Sequence, residues 1–302
     1  MTLAEFFTRY YAPLKLRGRS ENTTRLYHCT IKAFKKFLDG REPTLIDLDD
    51  LIVSQFLAQR ASTRSPFTAE KERTQLLSLW RFAFDRRIEG VTTRPCVPPT
   101  PLPERIPTAW AVDSIRDLMR AASKETGMIA GSPASAWFMA LISVLWESAE
   151  RIGSIMSLRV LDYSSPRILV RAEYRKGKKR DKLYSLTPST CVLIDQIVKG
   201  KKPNDKIFAW DKPLPNLWYS FGKVVERAGL GGGRRAKFHQ LRRSSATHFA
   251  SRGGDATALL DHSSPRVTRA YLDPRFLQTG PQPCDVLPSI SIEQPAGGAT
   301  TG

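Results

Sequence analysis

Near the C-terminal end of the chain stand a histidine and an arginine at His239-Gln240-Leu241-Arg242-Arg243, a second histidine at Leu260-Asp261-His262-Ser263-Ser264, and a tyrosine at Arg269-Ala270-Tyr271-Leu272-Asp273-Pro274. Together they have the chemistry to attack a phosphodiester. A guanidinium is a planar fork that matches two phosphate oxygens. Imidazoles take up and release protons near neutral pH, and a tyrosine hydroxyl can form a covalent intermediate. A single histidine or tyrosine on a helix is more often a packed structural residue, and His248, in Ala246-Thr247-His248-Phe249, is read that way. His239, Arg242, His262 and Tyr271 in this order and spacing are much harder to reach by chance.

The spacing resembles the box II and tyrosine region of the tyrosine recombinases, also called the phage integrase family. Its pattern is His-x-x-Arg, then Leu-Gly-His-Ser, then a tyrosine nine residues after the second histidine. His239 and Arg242 keep the first spacing, and His262 and Tyr271 keep the second. Upstream, Trp146-Glu147-Ser148-Ala149-Glu150-Arg151-Ile152-Gly153-Ser154-Ile155-Met156-Ser157-Leu158 resembles box I, where an arginine opens a short helix. That makes Arg151 the first phosphate-binding arginine. The family has Gly-Leu before this arginine and an acidic residue three after it, whereas this chain has Ala149-Glu150 and Ser154. Read without the family, Arg151 would pair on a helix surface with Glu147, four residues earlier.

Arg167-Ile168-Leu169-Val170-Arg171 and Lys182-Leu183-Tyr184-Ser185-Leu186 flank the basic run Arg175-Lys176-Gly177-Lys178-Lys179-Arg180, which predicts a β-hairpin. The family carries a hairpin of this kind with a proton-donating lysine. The resemblance places that role at Lys176, with Lys178 and Lys179 as alternatives. Asp261 stands where the family has glycine, and the stretch from Gly253 to His262 is about one helical turn shorter than usual. A carboxylate beside the His262 imidazole is expected to favour its protonated form.

These residues need a scaffold, and the rest of the chain predicts a mainly α one. Tyr27, Ile31, Phe34, Phe37 and Leu38 recur at helical spacing from Ser20 to Leu38, with Gly40 as a stop. A second helix follows Asp47 or Asp49 with Leu51, Val53, Phe56 and Leu57, and a third spans about Thr68 to Arg87 with Leu76, Leu77, Trp80, Ala83 and Phe84 on one face. With Leu3 to Tyr11 these form a helical bundle. It resembles the SAM-like core-binding domain of the same family, with loose matches at Asn22-Thr23-Thr24-Arg25-Leu26-Tyr27 and Phe82-Ala83-Phe84.

Residues 95–107 hold six prolines and read as a stiff extended linker. Beyond it, helices are expected over Ser114–Ala122, Ser135–Trp146, from Thr187-Pro188 through Val192, Ile194 and Ile197, over Pro215–Arg227, over Arg242–Arg252, and after Ser264-Pro265. The expected organisation is a core-binding domain at 1–94, a linker at 95–107, an α+β catalytic domain with a small hairpin or sheet at 108–277, and a tail at 278–302 too rich in Gly, Pro, Ser and Thr to fold.

Charge agrees with a polyanionic partner. The formal net charge is +18 and the pI near 10. Lys and Arg exceed Asp and Glu by 29 to 15 over residues 108–275, against 17 to 11 over 1–95, so the excess lies where the candidate site lies. Lys178, Lys179, Arg180, Arg234, Arg235, Lys237 and Arg243 are expected as phosphate contacts rather than base readers. No apolar run approaches the ~20 residues of a spanning helix, and no secretory signal is evident. Cys29, Cys96, Cys191 and Cys284 are scattered without metal spacing, as in a reduced cytoplasmic protein.

The resemblance then implies a site-specific DNA recombinase or integrase of a mobile element, acting on the nucleoid. It would work on double-stranded DNA as a homotetramer across two duplexes, without cofactor, metal or ATP. Chromosome-dimer resolution is a second role in the same class. A type IB topoisomerase and a catalytically silent DNA-binding relative are the alternatives.

Overall fold

The computed structural model describes residues 1–175, 177, 180–231 and 237–277, and the chain divides into two compact units, Met1–Glu104 and Arg105–Gly302. Lys176, Lys178, Lys179, Arg234, Arg235 and the 278–302 tail lie outside the described residues.

In the first unit, side-chain caps set where helices begin. Thr2 and Glu5 form a reciprocal capping box at α1 (Leu3–Phe6), and the chain runs on through a π-helical turn at Phe7–Tyr11 into α2 (Ala12–Lys15). Ser20 precedes α3 (Glu21–Phe37). The Asp49 carboxylate accepts from the Leu51 and Ile52 amides to open α4 (Asp50–Thr63). Ser65 accepts from Thr68 N to open α5 (Pro66–Asp85), two residues before the expected start, because Pro66 fits the first turn where no N–H partner is needed. Phe6, Phe7, Phe34, Phe56, Leu76 and Trp80 form a fully buried core. Leu51, expected there, is 66% exposed. The buried stripe of α4 runs through Val53, Phe56 and Leu57, and Leu51, two residues before Val53, falls on the opposite face.

The proline-rich segment carries no helix or strand. Its first part lies along α4 and α5 rather than standing free: Cys96 N donates to Asp50, Arg73 donates to the Val97 carbonyl, and Thr100 N donates to Glu70.

The second unit is arranged around α7 (Ala134–Ser148), whose Trp137, Phe138, Leu141, Ile142 and Leu145 are all buried. α6 (Val112–Ser123) and a minimal hairpin of β1 (Met128–Ile129) and β2 (Ser132–Pro133) precede it. α8 (Ile152–Ile155) follows, then an antiparallel sheet in the order β3 (Tyr163–Ser164), β4 (Arg167–Val170), β5 (Lys182–Ser185). The β4–β5 register pairs Ile168 with Tyr184 and Leu169 with Leu183. Two-residue alternation therefore buries Ile168, Val170 and Tyr184 and leaves Leu183 outside.

Thr187 caps α9 (Pro188–Val198), and α10 (Leu214–Arg227) follows. Val192 is 66% exposed because α9 buries Cys191, Ile194 and Ile197 instead. α11 (Lys237–Ala250) starts five residues before the expected Arg242, so His239 and Arg242 share one helix. α12 (Ala256–Leu260), α13 (Pro265–Arg269) and a 3-10 turn at Pro274–Phe276 close the described chain. α7 packs against α6, α9 and α11, which carries the site helix onto the core. Among the described residues no helix is long and apolar enough to cross a membrane.

Candidate active site

Two tight turns and one helix make the site. α7 ends at Ser148, and Ala149 then takes a left-handed conformation (φ 49°, ψ 24°) that redirects the chain through Glu150 to Arg151 at the start of α8. α12 ends in the same way, with Asp261 left-handed (φ 56°, ψ 43°) just before His262. Among side-chain-bearing residues, aspartate tolerates this region comparatively well. α11 supplies His239 and Arg242, three residues apart and so on one face. Arg242 is 3% exposed and donates to the carbonyls of Ala149 and Leu260, the latter at 2.9 Å. One guanidinium thus spans both turns.

The tyrosine segment is fastened from several sides. His262 Nδ1 lies 3.1 Å from the hydroxyl of buried Thr268, whose carbonyl accepts from Tyr271 N at 2.8 Å. Leu272 is buried with Ala149, Ala246, Ala256 and Leu260. Asp273, fully buried, accepts from Ala109 N at 2.6 Å and pairs with Arg275 at 2.7 Å, while Asp273 N donates to Thr247. The phenol of Tyr271 lies 3.4 Å from His239 Nδ1. Its ring meets the His239 ring edge-on (centroids 5.1 Å, 89°) and the His262 ring likewise (5.4 Å, 84°), and the Arg243 guanidinium sits 5.4 Å from its centroid.

The charges follow from this crowding. Burial pushes the Tyr271 phenol above its usual value, against the pull of Arg242, Arg243 and Arg151. Desolvation of its inner side, then the charges of Arg243, Arg242 and Arg151, bring the His239 imidazole down to about 4, although its outer edge meets solvent. His262 is also lowered, by burial first and then by Arg242 and Arg151. The expected protonation of His262 by its neighbour Asp261 does not hold. Asp261 raises the imidazole only weakly because its carboxylate is engaged by Arg180 at 2.5 Å and Arg175 at 3.4 Å. Near neutral pH the site therefore holds a protonated phenol, two neutral imidazoles and a group of arginines, an arrangement able to accept a phenolic proton beside an oxyanion.

Arg151, His239, Arg242, His262 and Tyr271 are thus gathered in one place. Arg151 is half-buried, and among the described residues its side chain has no carboxylate partner. The alternative partner Glu147 bonds instead to the hydroxyls of Thr187 and Thr190. Of the expected phosphate contacts, Arg180 is exposed and Arg243 has a buried Nε with no hydrogen-bond partner among the described residues. Lys237 is a correction: it is buried, donates to the Gly222 carbonyl and pairs with Glu226 at 3.1 Å, so its charge belongs to the α10–α11 contact. Sequence reasoning missed Glu150, Arg175, Thr268 and Asp273. For Glu150 the available signal was a carboxylate directly before Arg151, as Asp261 stands directly before His262. Among the described residues no group of three His, Cys, Asp or Glu side chains is placed to hold a metal ion.

Comparison with known proteins bears on the same segment. The model of the phage integrase family matches residues 111–277, more than half of the chain. The tyrosine recombinase XerD of Ralstonia nicotianae is 21% identical over 268 residues, covering 84% of this chain and 84% of that protein. Among solved structures, a lambda integrase (75-356) dimer bound to a COC′ core site superposes with a TM-score of 0.71 at 19% identity, covering 91% of this chain and 96% of that one. A lambda integrase tetramer bound to a Holliday junction gives 0.67 at 20%, covering 87% and 78%. The structural likeness carries the fold, and the family match runs through Arg151, His239, Arg242, His262 and Tyr271, so the chain belongs to the phage integrase family.

Proposed function

We propose that this chain is a site-specific DNA recombinase, an integrase that breaks and rejoins DNA through a covalent 3′-phosphotyrosine. The Tyr271 oxygen attacks a backbone phosphorus as the bond to the 5′ oxygen breaks. The phenolic proton passes to His239 Nδ1. Arg151 and Arg242 face the non-bridging oxygens. His262, with Nδ1 accepting from the Thr268 hydroxyl, carries its proton on Nε2 and donates it as a hydrogen bond to the same phosphate. The departing 5′ oxygen takes a proton from a hairpin lysine, Lys176 or in its place Lys178 or Lys179. One phosphoester bond replaces another, so the 5′ hydroxyl of a second strand can reverse the step without ATP or metal.

The observation that carries this reading is the Tyr271 hydroxyl 3.4 Å from a neutral His239 Nδ1, edge-on to both imidazoles and beside the arginine charges. The partner is double-stranded DNA with a specific attachment site, met on the nucleoid in the cytoplasm. A homotetramer on two duplexes is the proposed assembly, supported by the shared fold of the lambda integrase tetramer on a Holliday junction. Arg180 and Arg243 are the described candidates for backbone phosphate contact, and Lys178, Lys179, Arg234 and Arg235 are the further candidates from the sequence. Binding is expected to weaken steeply with salt.

A nicked suicide substrate tests the proposal. The expected result is a covalent adduct on the 3′ phosphate that disappears in Tyr271→Phe. Binding without any adduct would mark a silent DNA-binding relative. Relaxation of supercoiled DNA lacking a target site would mark a topoisomerase.

A further inference from the structure

We infer that Arg175 is a positioning residue for cleavage, held between Glu150 and Asp261 so that the turns bearing Arg151 and His262 keep a fixed separation. The inference rests on the recombinase reading above.

The two turns are bridged twice, through neighbouring residues. Arg242 joins the carbonyls of Ala149 and Leu260. Arg175 joins the carboxylates of the next residue in each turn, Glu150 at 2.8 Å and Asp261 at 3.4 Å. The side chains of Arg175 and Glu150 are 4% and 1% exposed. Both oxygens of Glu150 are engaged further: Tyr184 donates to Oε1 at 2.9 Å and Arg151 N to Oε2 at 3.2 Å. The backbone of Arg151 is therefore tied directly to the Arg175 pair. On the other side, Arg180 holds Asp261 at 2.5 Å, and Lys182 donates to the carbonyls of Ala258 and Leu259 at the end of α12.

A buried ion pair adds little stability over apolar residues of the same volume, but its directed hydrogen bonds can select one geometry. Asp261 also occupies a left-handed conformation that glycine would adopt without strain. Its carboxylate offsets that backbone cost by completing the bridge. The bridge is thus placed to aim Arg151 and His262 at a common phosphate.

Asp261→Gly tests this without threatening the fold, because it relaxes the turn and leaves Glu150–Arg175 intact. The readout is single-turnover adduct formation on a suicide substrate, compared with the same DNA carrying a neutral methylphosphonate at the scissile position. Removing a non-bridging oxyanion reduces what the arginines must neutralise. The expected result is a rate about tenfold lower or worse on phosphate DNA, the same DNA concentration for half-saturation, the same Tm, and a deficit that shrinks on methylphosphonate DNA. The pair Glu150→Gln with Arg175→Met, which strands no charge, should lower the same rate and add less than its own effect to Asp261→Gly. An unchanged rate, an equal deficit on both substrates, or a shift in half-saturation alone overturns the inference while leaving the recombinase reading standing. Wild-type protein that forms no adduct on phosphate DNA removes that reading and the inference with it.

Discussion

The two units of the chain bury different things. In the first, aromatic rings pack together through an aliphatic core: Phe34 meets Phe56 at 5.2 Å, Phe7 stacks on Tyr27 at 5.2 Å, and Tyr11 meets Phe82 edge-on at 5.3 Å. This unit does bury two carboxylates, Asp47 and Glu72, but their partners keep solvent contact, Arg41 with 56% and Arg60 with 20% of the side chain exposed. The second unit has an apolar core of its own but also buries Glu150, Arg175, Lys237, Arg242 and Asp273. Apolar burial is non-directional and tolerates small shifts, whereas hydrogen-bonded guanidinium and carboxylate groups fix angles as well as distances. The first unit thus spends its interior on holding together, and the second sets part of its interior to aiming side chains.

Substitutions can break that contrast, beginning with the largest effect. Tyr271→Phe should abolish covalent capture of suicide DNA while Tm and DNA binding stay close to wild type. Phenylalanine keeps the ring contacts with His239, His262 and Arg243 and gives up the long hydrogen bond to His239 and the hydroxyl's interaction with Arg242. Adducts persisting in this variant would place the nucleophile elsewhere. Trp80→Ala, in the first core, should cost about 3–5 kcal/mol of unfolding free energy in a urea melt, because Trp80 is fully buried and its indole also donates to the Thr93 carbonyl.

Arg151→Ala and Arg242→Ala should each slow adduct formation by roughly a hundredfold or more, but with different stability. Arg242→Ala strands the carbonyls of Ala149 and Leu260 and should lose about 2 kcal/mol or more. Arg151→Ala strands no buried partner among the described residues and should melt like wild type. Equal melts for the two would mean that the Arg242 bridge contributes nothing to holding the turns.

Much of this was readable from local chemistry. Asp49 and Thr187 announced their helices because one cap side chain decides where a helix begins, whereas Ser65 went unread and α5 opened earlier than expected. The spacing of His239, Arg242, His262 and Tyr271 survived because each local stretch is short and regular. What was hidden depends on partners distant in sequence. The burial of Lys237 needs Gly222 and Glu226 from α10. The lowering of His262 comes from burial first and then from Arg242 and Arg151, while Asp261, which opposes it, is engaged by Arg175 and Arg180 some 80 positions upstream. A basic run was read as a phosphate-facing turn, yet Arg175 at its start turned inward to a carboxylate beside the other box. Leu51 and Val192 show the smaller error, since an apolar residue near a helix start can fall off the buried stripe.

The gentlest test needs no DNA. The His239 imidazole, held down to about 4, should titrate far below the usual 6.5 when its Cε1 proton resonance is followed by NMR and assigned by its loss in His239→Asn. The sign for stability follows. Between about pH 6.5 and 4 the unfolded chain binds a proton that the folded site refuses, so stability falls as pH drops through that window and is indifferent to this group above it. For catalysis the same shift keeps the proton acceptor neutral through mild acid, and adduct formation should show no loss at pH 6.5 attributable to His239. A midpoint near 6.5 would mean that solvent at the exposed edge of the ring screens Arg243, Arg242 and Arg151, and the interior of the second unit would then be aiming side chains without setting their charge.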